Sequence, residues 1–379
     1  MKQKKIFKKI MISLLSIIGI LLLIVGSYVA YVAIQYYRIE DNLDLTNDIY
    51  RSNTSLDAKD IDSSTELSIL TYNIGFGAYN RDYDFFLDEG YMLDGTHVQG
   101  THSRALSYDW AKTNTEGSIN TVFNENVDFV TIQEIDVNAH RSYKINQYEE
   151  FLNKLNGYEG VYSSNFHTAY LMYPPTYPIG KSESGLATFS RYKIDKCTRK
   201  SYPVDKSFPT KLFDLDRCFS VSRYTLSNGK ELVIGNSHMS AYDKGGVIRA
   251  KQLTYLSEFL AEEKNKGNYV IIGGDYNHDI ASSNGLFPTM QKRPDWVSDF
   301  DESSLPEGYR IEASKDIPTC RSADMPYEEG VTYTVVVDGF IVSDNINAIS
   351  VKNINTEFAY SDHNPVVLNF NLIMWSYPI

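Results

Sequence analysis

From Ile10 to Tyr37 the chain carries no charged side chain, and Ile, Leu and Val dominate this stretch of 28 residues. As a helix rising about 1.5 Å per residue it exceeds the roughly 30 Å hydrocarbon core of a bilayer, so it can span with some tilt. A cleavable signal peptide would have a shorter apolar region ending in a small-x-small site. The nearest approach to one is Val25-Gly26-Ser27, and the apolar run continues past it through Tyr28, Val29, Tyr31 and Val32. The segment therefore reads as a transmembrane helix over 10–37.

Its flanks set an orientation. Lys2, Lys4, Lys5, Lys8 and Lys9 precede it, whereas Glu40, Asp41, Asp44 and Asp48 follow. The positive-inside tendency puts a basic tail, residues 1–9, in the cytoplasm and everything after the helix outside the cell membrane, crossed once. The total charge is −12, but six of the 36 basic residues lie before residue 39, leaving 30 against 48 acidic ones beyond it. That remainder stands at −18, a surface that repels polyanions over about a Debye length and makes nucleic acid an unlikely partner. A small phosphate ester held by a metal remains open to it.

Three cysteines exclude a disulfide-stapled miniature fold. Outside the cell a Cys197–Cys218 bridge is possible, and three free thiols are equally compatible with the sequence.

Residues 38–65 are polar and read as a linker. From Glu66 to Ile373, β-type runs alternate with helical patterns at about 116–126, 146–156 and 247–266. The runs are 67–72, 128–133, 186–190, 219–226, 231–237, 269–273, 332–343 and 365–372, with Ser227-Asn228-Gly229-Lys230 as a hairpin turn. The mixture predicts an α/β or α+β domain over 66–373, helices outside two packed sheets, and a short tail at 374–379.

Polar residues recur where these strands end: Asn73, Glu134, His238, Asp275, Asn277 and Asp338, with Asp362 and His363 just before the last strand. Strand ends on one edge of a sandwich converge, so these residues can share a cleft. Carboxylate and amide oxygens without cysteine favour a hard cation, Mg²⁺, with Mn²⁺ or Ca²⁺ as alternatives. Two histidines beside them provide a base and a cationic donor. Phosphate-ester hydrolysis needs that combination.

The series Thr71-Tyr72-Asn73, Gln133-Glu134, Asn236-Ser237-His238, Gly274-Asp275-Tyr276-Asn277, Asp338 and Ser361-Asp362-His363 resembles, in order, the motifs of the endonuclease/exonuclease/phosphatase superfamily. That group includes deoxyribonuclease-I-like nucleases and neutral sphingomyelinases. The resemblance implies a four-layered αββα sandwich with two mainly antiparallel sheets. It also implies that Asn73 and Glu134 hold the cation with Asp362 nearby, and that Asn277 positions and His238 hydrogen-bonds the phosphate. Asp338 would orient His363. Whether Asp275 or His363 takes the proton of the attacking water stays open. Ser237 and Tyr276 replace the commoner Thr and Phe without changing the chemistry, and Gly339-Phe340 follows Asp338 where many members have an aromatic.

Arg141, Arg321 and Arg249 are candidates for clamping phosphate, Arg249 fitting a surface ion pair better. Tyr143 and His278 are further candidates for touching substrate, His278 equally for capping its loop. His97, His102 and His167 read as solvated. The long segment 75–115 predicts an ordered cover over the cleft, and the Pro-rich apolar loop 170–178 reads as packing over a sheet edge rather than dipping into a leaflet.

The expected activity is a membrane-anchored, extracellular phosphoric-ester hydrolase acting on a phospholipid head group or small organic phosphate. An extracellular nuclease shares every catalytic residue. A non-catalytic binding protein on the same fold would be expected to have lost one of Glu134, Asp275 or His363.

Overall fold

The computed structural model describes residues 2–241 and 246–374. Helix α1, Lys2–Gln35, comes first; its most apolar stretch is unburied, and only its last turns meet the domain, through Val32. Beyond it, thirteen strands form two large sheets. They are β1 (Leu43–Asp44), β2 (Leu67–Asn73), β3 (Phe129–Asp136), β4 (Glu159–His167), β5 (Glu183–Ser190), β6 (Lys196–Ser201) and β7 (Cys218–Thr225), followed by β8 (Glu231–His238), β9 (Tyr269–Asp275), β10 (Tyr309–Glu312), β11 (Asp338–Ser343), β12 (Ile346–Asn353) and β13 (Val366–Leu372).

One sheet has the order β1-β6-β7-β8-β9-β11-β10 and the other β12-β13-β2-β3-β5-β4. Each is antiparallel except for one central parallel pair, β8 with β9 and β2 with β3. Ile69, Phe129, Ile234, Ile271 and Phe340 meet between the sheets and are fully buried. Each such side chain contributes about 1.5–3 kcal/mol of transfer free energy. On the outer face of the first sheet lies α4 (Val247–Lys266), whose Leu253, Leu256 and Leu260 form a stripe against Val233, Val270 and Ile272. It stops at Gly267, whose φ of +73° suits the left-handed cap. Helices α2 (Tyr108–Glu125) and α3 (Gln147–Lys154) cover the other sheet through Ile119, Val122 and Phe151. The result is the four-layered αββα sandwich that the motif series implied.

Three local expectations are corrected. The segment 38–65 is no free linker: Leu43–Asp44 adds a strand beside β6, and Leu45, Ile49, Ala58 and Ile61 are buried in the inter-sheet core. Its polar composition masked four spaced apolar residues that close the sandwich edge. The run 332–343 is broken, with a short piece at Thr334–Val335 and β11 starting only at Asp338. Cys197 pairs with Ser222 and Cys218 with Ser201, so the thiols sit four positions apart along one ladder, roughly 13 Å at about 3.3 Å per residue, beyond disulfide reach. All three cysteines are free and buried.

The segment 75–115 is ordered as expected. It contains a short hairpin, Glu89–Tyr91 with His97–Gln99, and an aromatic cluster of Phe76, Tyr79, Tyr83 and Phe85. The loop after Ala169 is packed rather than free. It leans on α1, where the Tyr28 hydroxyl donates to the Tyr170 carbonyl (3.2 Å) and accepts from the Met172 amide (3.0 Å).

Candidate active site

Strand register brings the polar residues together. In the first sheet His238 lies beside Asp275, and Asp275 beside Asp338, so three neighbouring strands end in a row of chemically active side chains. Gly274 permits this crowding, since a Cβ there would lie 2.1 Å from the Ser237 carbonyl oxygen. In the second sheet Asn73 lies beside Gln133, and the ladder then slips between Ile132 and Ile135. This bulge puts Glu134 at φ +54° and turns its carboxylate into the cleft. Asn236 links the sheets behind the site, donating to the Ile132 and Ala187 carbonyls while accepting from Gln133.

The contacts are short. Asn73 Nδ2 donates to Asp275 Oδ2 (3.0 Å) and Glu134 Oε1 (3.2 Å). His238 Nε2 stands 3.5 Å from Asp275 Oδ2 and 3.8 Å from Glu134 Oε1. His363 Nδ1 pairs with Asp338 Oδ2 at 2.8 Å and its Nε2 faces Asp275 at 3.7 Å. Ser361 Oγ ties the His363 loop to the end of β2 by donating to the Asn73 carbonyl (2.7 Å). Asn277, at φ +51°, spends its side-chain N–H on the Met239 carbonyl (2.9 Å).

Electrostatics separate the two histidines. Burial, with the nearby charges of Arg217, His363 and Arg141, holds His238 well below the usual imidazole range. Burial acts the same way on His363, but the carboxylate of Asp338 outweighs it and raises the pKa well above 6.5. Thus His238 is neutral and His363 cationic near neutral pH. Asp275 is pushed up to about 6 by burial, against the pull of His363, and burial also raises Asp338 and Asp362.

Asp275, Asp338 and His363 form the tightest group with metal-ligating atoms. Their closeness is accounted for by the His363–Asp338 hydrogen bond, which occupies Nδ1. Glu134, Asp275 and Asp362 line the open cleft, and among the described residues no lysine or arginine lies within ion-pair distance of them. Three carboxylates offset only in part by the nearby His363, with the Asn73 amide between two of them, suit a hard divalent cation.

The family model described as "Endonuclease/Exonuclease/phosphatase family" matches residues 70–363, from β2 through the second histidine of the site. The chain belongs to this family. Its members are hydrolases of phosphoesters that use a divalent metal. No curated protein matches the sequence. Among solved structures the chain is similar to the endonuclease/exonuclease/phosphatase from Beutenbergia cavernae DSM 12333, at 13% identity and TM-score 0.50 over 81% of this chain and 72% of that one. It is also similar to ANGEL2, a 2',3'-cyclic phosphatase (13%, TM-score 0.52, 89% and 100%). A third is a family protein from Leptotrichia buccalis C-1013-b (14%, TM-score 0.50, 81% and 100%). At these identities the likeness carries the fold alone.

Of the expected substrate-binding residues, Arg141 and Arg321 line the cleft, with their guanidinium groups held by the fold. Arg141 is buried, bidentate on Asp136 (2.9 and 3.1 Å), and stacked on Phe76. Arg321 spends its guanidinium on the carbonyls of Ser322, Asn80 and Tyr83, pinning the cover segment. Arg249 is buried rather than at the surface and donates to the carbonyls of Ala241 and Trp296. Tyr143 sits under Tyr108 beside Tyr177, away from the cleft lining. His278 is held by the Tyr276 carbonyl (2.6 Å) and faces Phe300, and it does not line the cleft. Of the histidines expected in solvent, His97 is exposed and meets Glu89, and His102 leans on Asp84. His167 instead ends β4, stacks on Tyr37 at 3.9 Å and faces Asp216.

One cation was missed. Arg217 lines the cleft, is 7% exposed, and has no hydrogen-bond partner for Nε or one terminal nitrogen. In sequence it is a single arginine after two acids and an aromatic, Phe213-Asp214-Leu215-Asp216, with no motif around it. Only the placement of β7 next to β8 aims it at His238.

Proposed function

We propose that this protein is a membrane-anchored, extracellular, Mg²⁺-dependent phosphoric-ester hydrolase whose substrate is a phospholipid head group or small organic phosphate. The observation that carries it is the convergence of Glu134, His238, Asp275 and His363 on one cleft, with Asn73 and Asp338 bonded directly behind them and no lysine or arginine, among the described residues, paired with Glu134, Asp275 or Asp362. Residues 10–37 would cross the bilayer, 1–9 remain inside, and the domain stand outside.

Asn73, Glu134 and Asp362 would hold the cation, which when bound supplies charge neutralisation on phosphate oxygens and polarises phosphorus. His363, kept cationic by Asp338, stabilises negative charge developing on the phosphoryl oxygens. Asp275, ionised above about pH 6, orients the water and accepts its proton. Arg217 offers a second cation for a non-bridging oxygen.

A nuclease needs a cationic track; Arg141 and Arg321 line the cleft, but their guanidinium groups are held by Asp136 and by main-chain carbonyls. Together with the −18 exterior this favours a small phosphate over a polynucleotide. The full chain is to be assayed in detergent with Mg²⁺ or EDTA against phospholipids, sphingomyelin, sugar phosphates and DNA. EDTA-sensitive turnover of a non-nucleotide ester is expected; DNA cleavage alone overturns the substrate assignment. A C-terminal epitope seen only after permeabilisation overturns the topology.

A further inference from the structure

Glu134, His238, Asp275 and His363 line a cavity of about 700 Å³ whose exposed lining is mostly apolar. Part of that wall comes from α1: Tyr28, Val29 and Val32 line the same space as Glu134, Asp275 and His363. The helix end is fixed there. Val32 is buried against Ala169 and Leu212, the Tyr31 hydroxyl accepts from the Tyr170 amide (3.3 Å), and Tyr37 stacks on His167.

Helix arithmetic locates this wall. About 20 residues span the hydrocarbon core, so a helix entering it at Ile10 reaches the opposite boundary at about Val29. On the proposed topology this puts the wall formed by Val29 and Val32 at the hydrocarbon–water boundary, where Tyr28, Tyr31 and Tyr36 would form an interfacial belt. Around it Leu87, Tyr173, Phe208 and Phe213 are exposed, each at least 45% accessible, while also lining the cavity. In water such a collar is a liability; at a leaflet it continues the buried surface of α1. The opposite end holds Arg217, a buried cation without partners on two nitrogens.

We propose that the last turns of α1 form one wall of the substrate channel. Through this wall the site takes a phosphate-ester lipid directly from the leaflet in which α1 ends. The lipid's hydrocarbon lies along Val29, Val32 and Phe208, and its phosphate meets Arg217 and His238. This rests on the hydrolase reading and adds the source of the substrate. In the reaction water oxygen bonds to phosphorus as the bond to the leaving oxygen breaks; the proton that Asp275 takes from the water passes to that leaving oxygen, and the water's other proton stays on the phosphate.

The test uses the full chain in phosphatidylcholine vesicles doped with a phosphatidylcholine bearing a diazirine in its acyl chain near the glycerol. Photocrosslinks on the peptides holding Val29–Val32 and Phe208–Phe213 are expected; crosslinks confined to residues before Gly26 overturn the channel. In parallel, Val29→Ser and Phe208→Ser are assayed in vesicles of phosphatidylcholine, sphingomyelin and phosphatidic acid, and on water-soluble bis(4-nitrophenyl) phosphate. Losing the burial of about two methylenes should lower the ratio of lipid to soluble-ester turnover about tenfold. An unchanged ratio, or a wild type that hydrolyses the soluble ester but no lipid, overturns the inference and leaves the hydrolase reading standing. A wild type inactive on every ester overturns the hydrolase reading, and the crosslinks then decide the channel alone.

Discussion

Replacing Asp338 by Asn separates charge from shape at the His363 pair. The Asp338 backbone N–H keeps its bond to Thr319 Oγ1 (3.1 Å), and Asn fills the same volume between β9 and Thr319. What is lost is a charge-assisted hydrogen bond of 2.8 Å between two buried groups. Such bonds are worth about 1.5–3 kcal/mol, which at about 1.4 kcal/mol per decade predicts a fall in kcat of about one to two orders of magnitude. The pH profile adds a second readout. His363 has a raised pKa, so its charge, and the stability the pair contributes, is complete below about 6.5 and is lost as pH rises through the higher folded value. In the variant, burial acts on the imidazole without its main opposition, and the alkaline limb of kcat must move to lower pH. Steady-state kinetics on a soluble phosphodiester between pH 5 and 10 check both, with His363→Ala and the double variant completing a cycle. A kcat within about twofold of wild type with an unmoved limb refutes the pairing as a catalytic device. So does a double variant markedly worse than His363→Ala alone.

Glu134→Gln removes the cleft carboxylate presented by the bulge. Calorimetric titration should show Mg²⁺ affinity falling at least about tenfold, and activity stripped by EDTA should return with Mg²⁺ in wild type alone. Arg141→Met leaves Asp136 buried without its bidentate partner, so denaturant unfolding should show a loss of about 3–5 kcal/mol; a lowered kcat at full stability would instead restore Arg141 as a substrate clamp. Arg217→Met should raise KM for the ester and weaken inorganic phosphate binding about tenfold or more, and Arg217→Lys should recover part of both, since a charged hydrogen bond is worth about 1.5–3 kcal/mol; an unchanged KM refutes its place in the site. Iodoacetamide should alkylate all three cysteines after denaturation without reductant and none before, because burial raises the thiols, Cys197 and Cys320 to about 12.

The residues that sequence identified and the structure brought together share one property: each sits at a fixed offset from a strand whose apolar pattern is plain. Asn73, Glu134, His238 and Asp275 follow runs of buried Ile, Leu, Val and Phe, so their convergence was a matter of strand ends. The substrate-binding assignments had no such anchor. Arg141 and Arg321 were singled out for proximity to motifs, but a guanidinium reaches several ångströms, and its partner depends on what tertiary packing leaves free. All three line the cleft, but Arg141 found Asp136 five residues back and Arg321 found carbonyls of the distant cover segment, whereas Arg217 was left with two nitrogens unpartnered. Period and spacing carry no information about which of several arginines ends unpaired.

The packing of residues 38–65 changes what the anchor can do. A flexible tether of that length would have a root-mean-square reach of about 30 Å, at about 5–6 Å times the square root of the residue number, and would leave the domain free to tumble. Instead Leu45, Ile49 and Ile61 are buried in the sandwich, and Arg38 donates to the Tyr202 carbonyl (3.1 Å) with the Ile39 amide on Asp216. The helix thus enters the domain without slack, and the Tyr28–Tyr170 and Tyr37–His167 contacts hold its last turns beside the cavity mouth. On the proposed membrane reading, orientation that a tethered enzyme would have to find by diffusion is built into the ground state, and part of the entropic cost of meeting an interfacial substrate would be met at folding. The same rigidity works against a long polyanion in solution, which would have to pass between an apolar collar and the bilayer to reach Glu134. A fixed attitude, an apolar mouth and a cationic floor fit one kind of ligand, with a hydrocarbon end and a phosphate end.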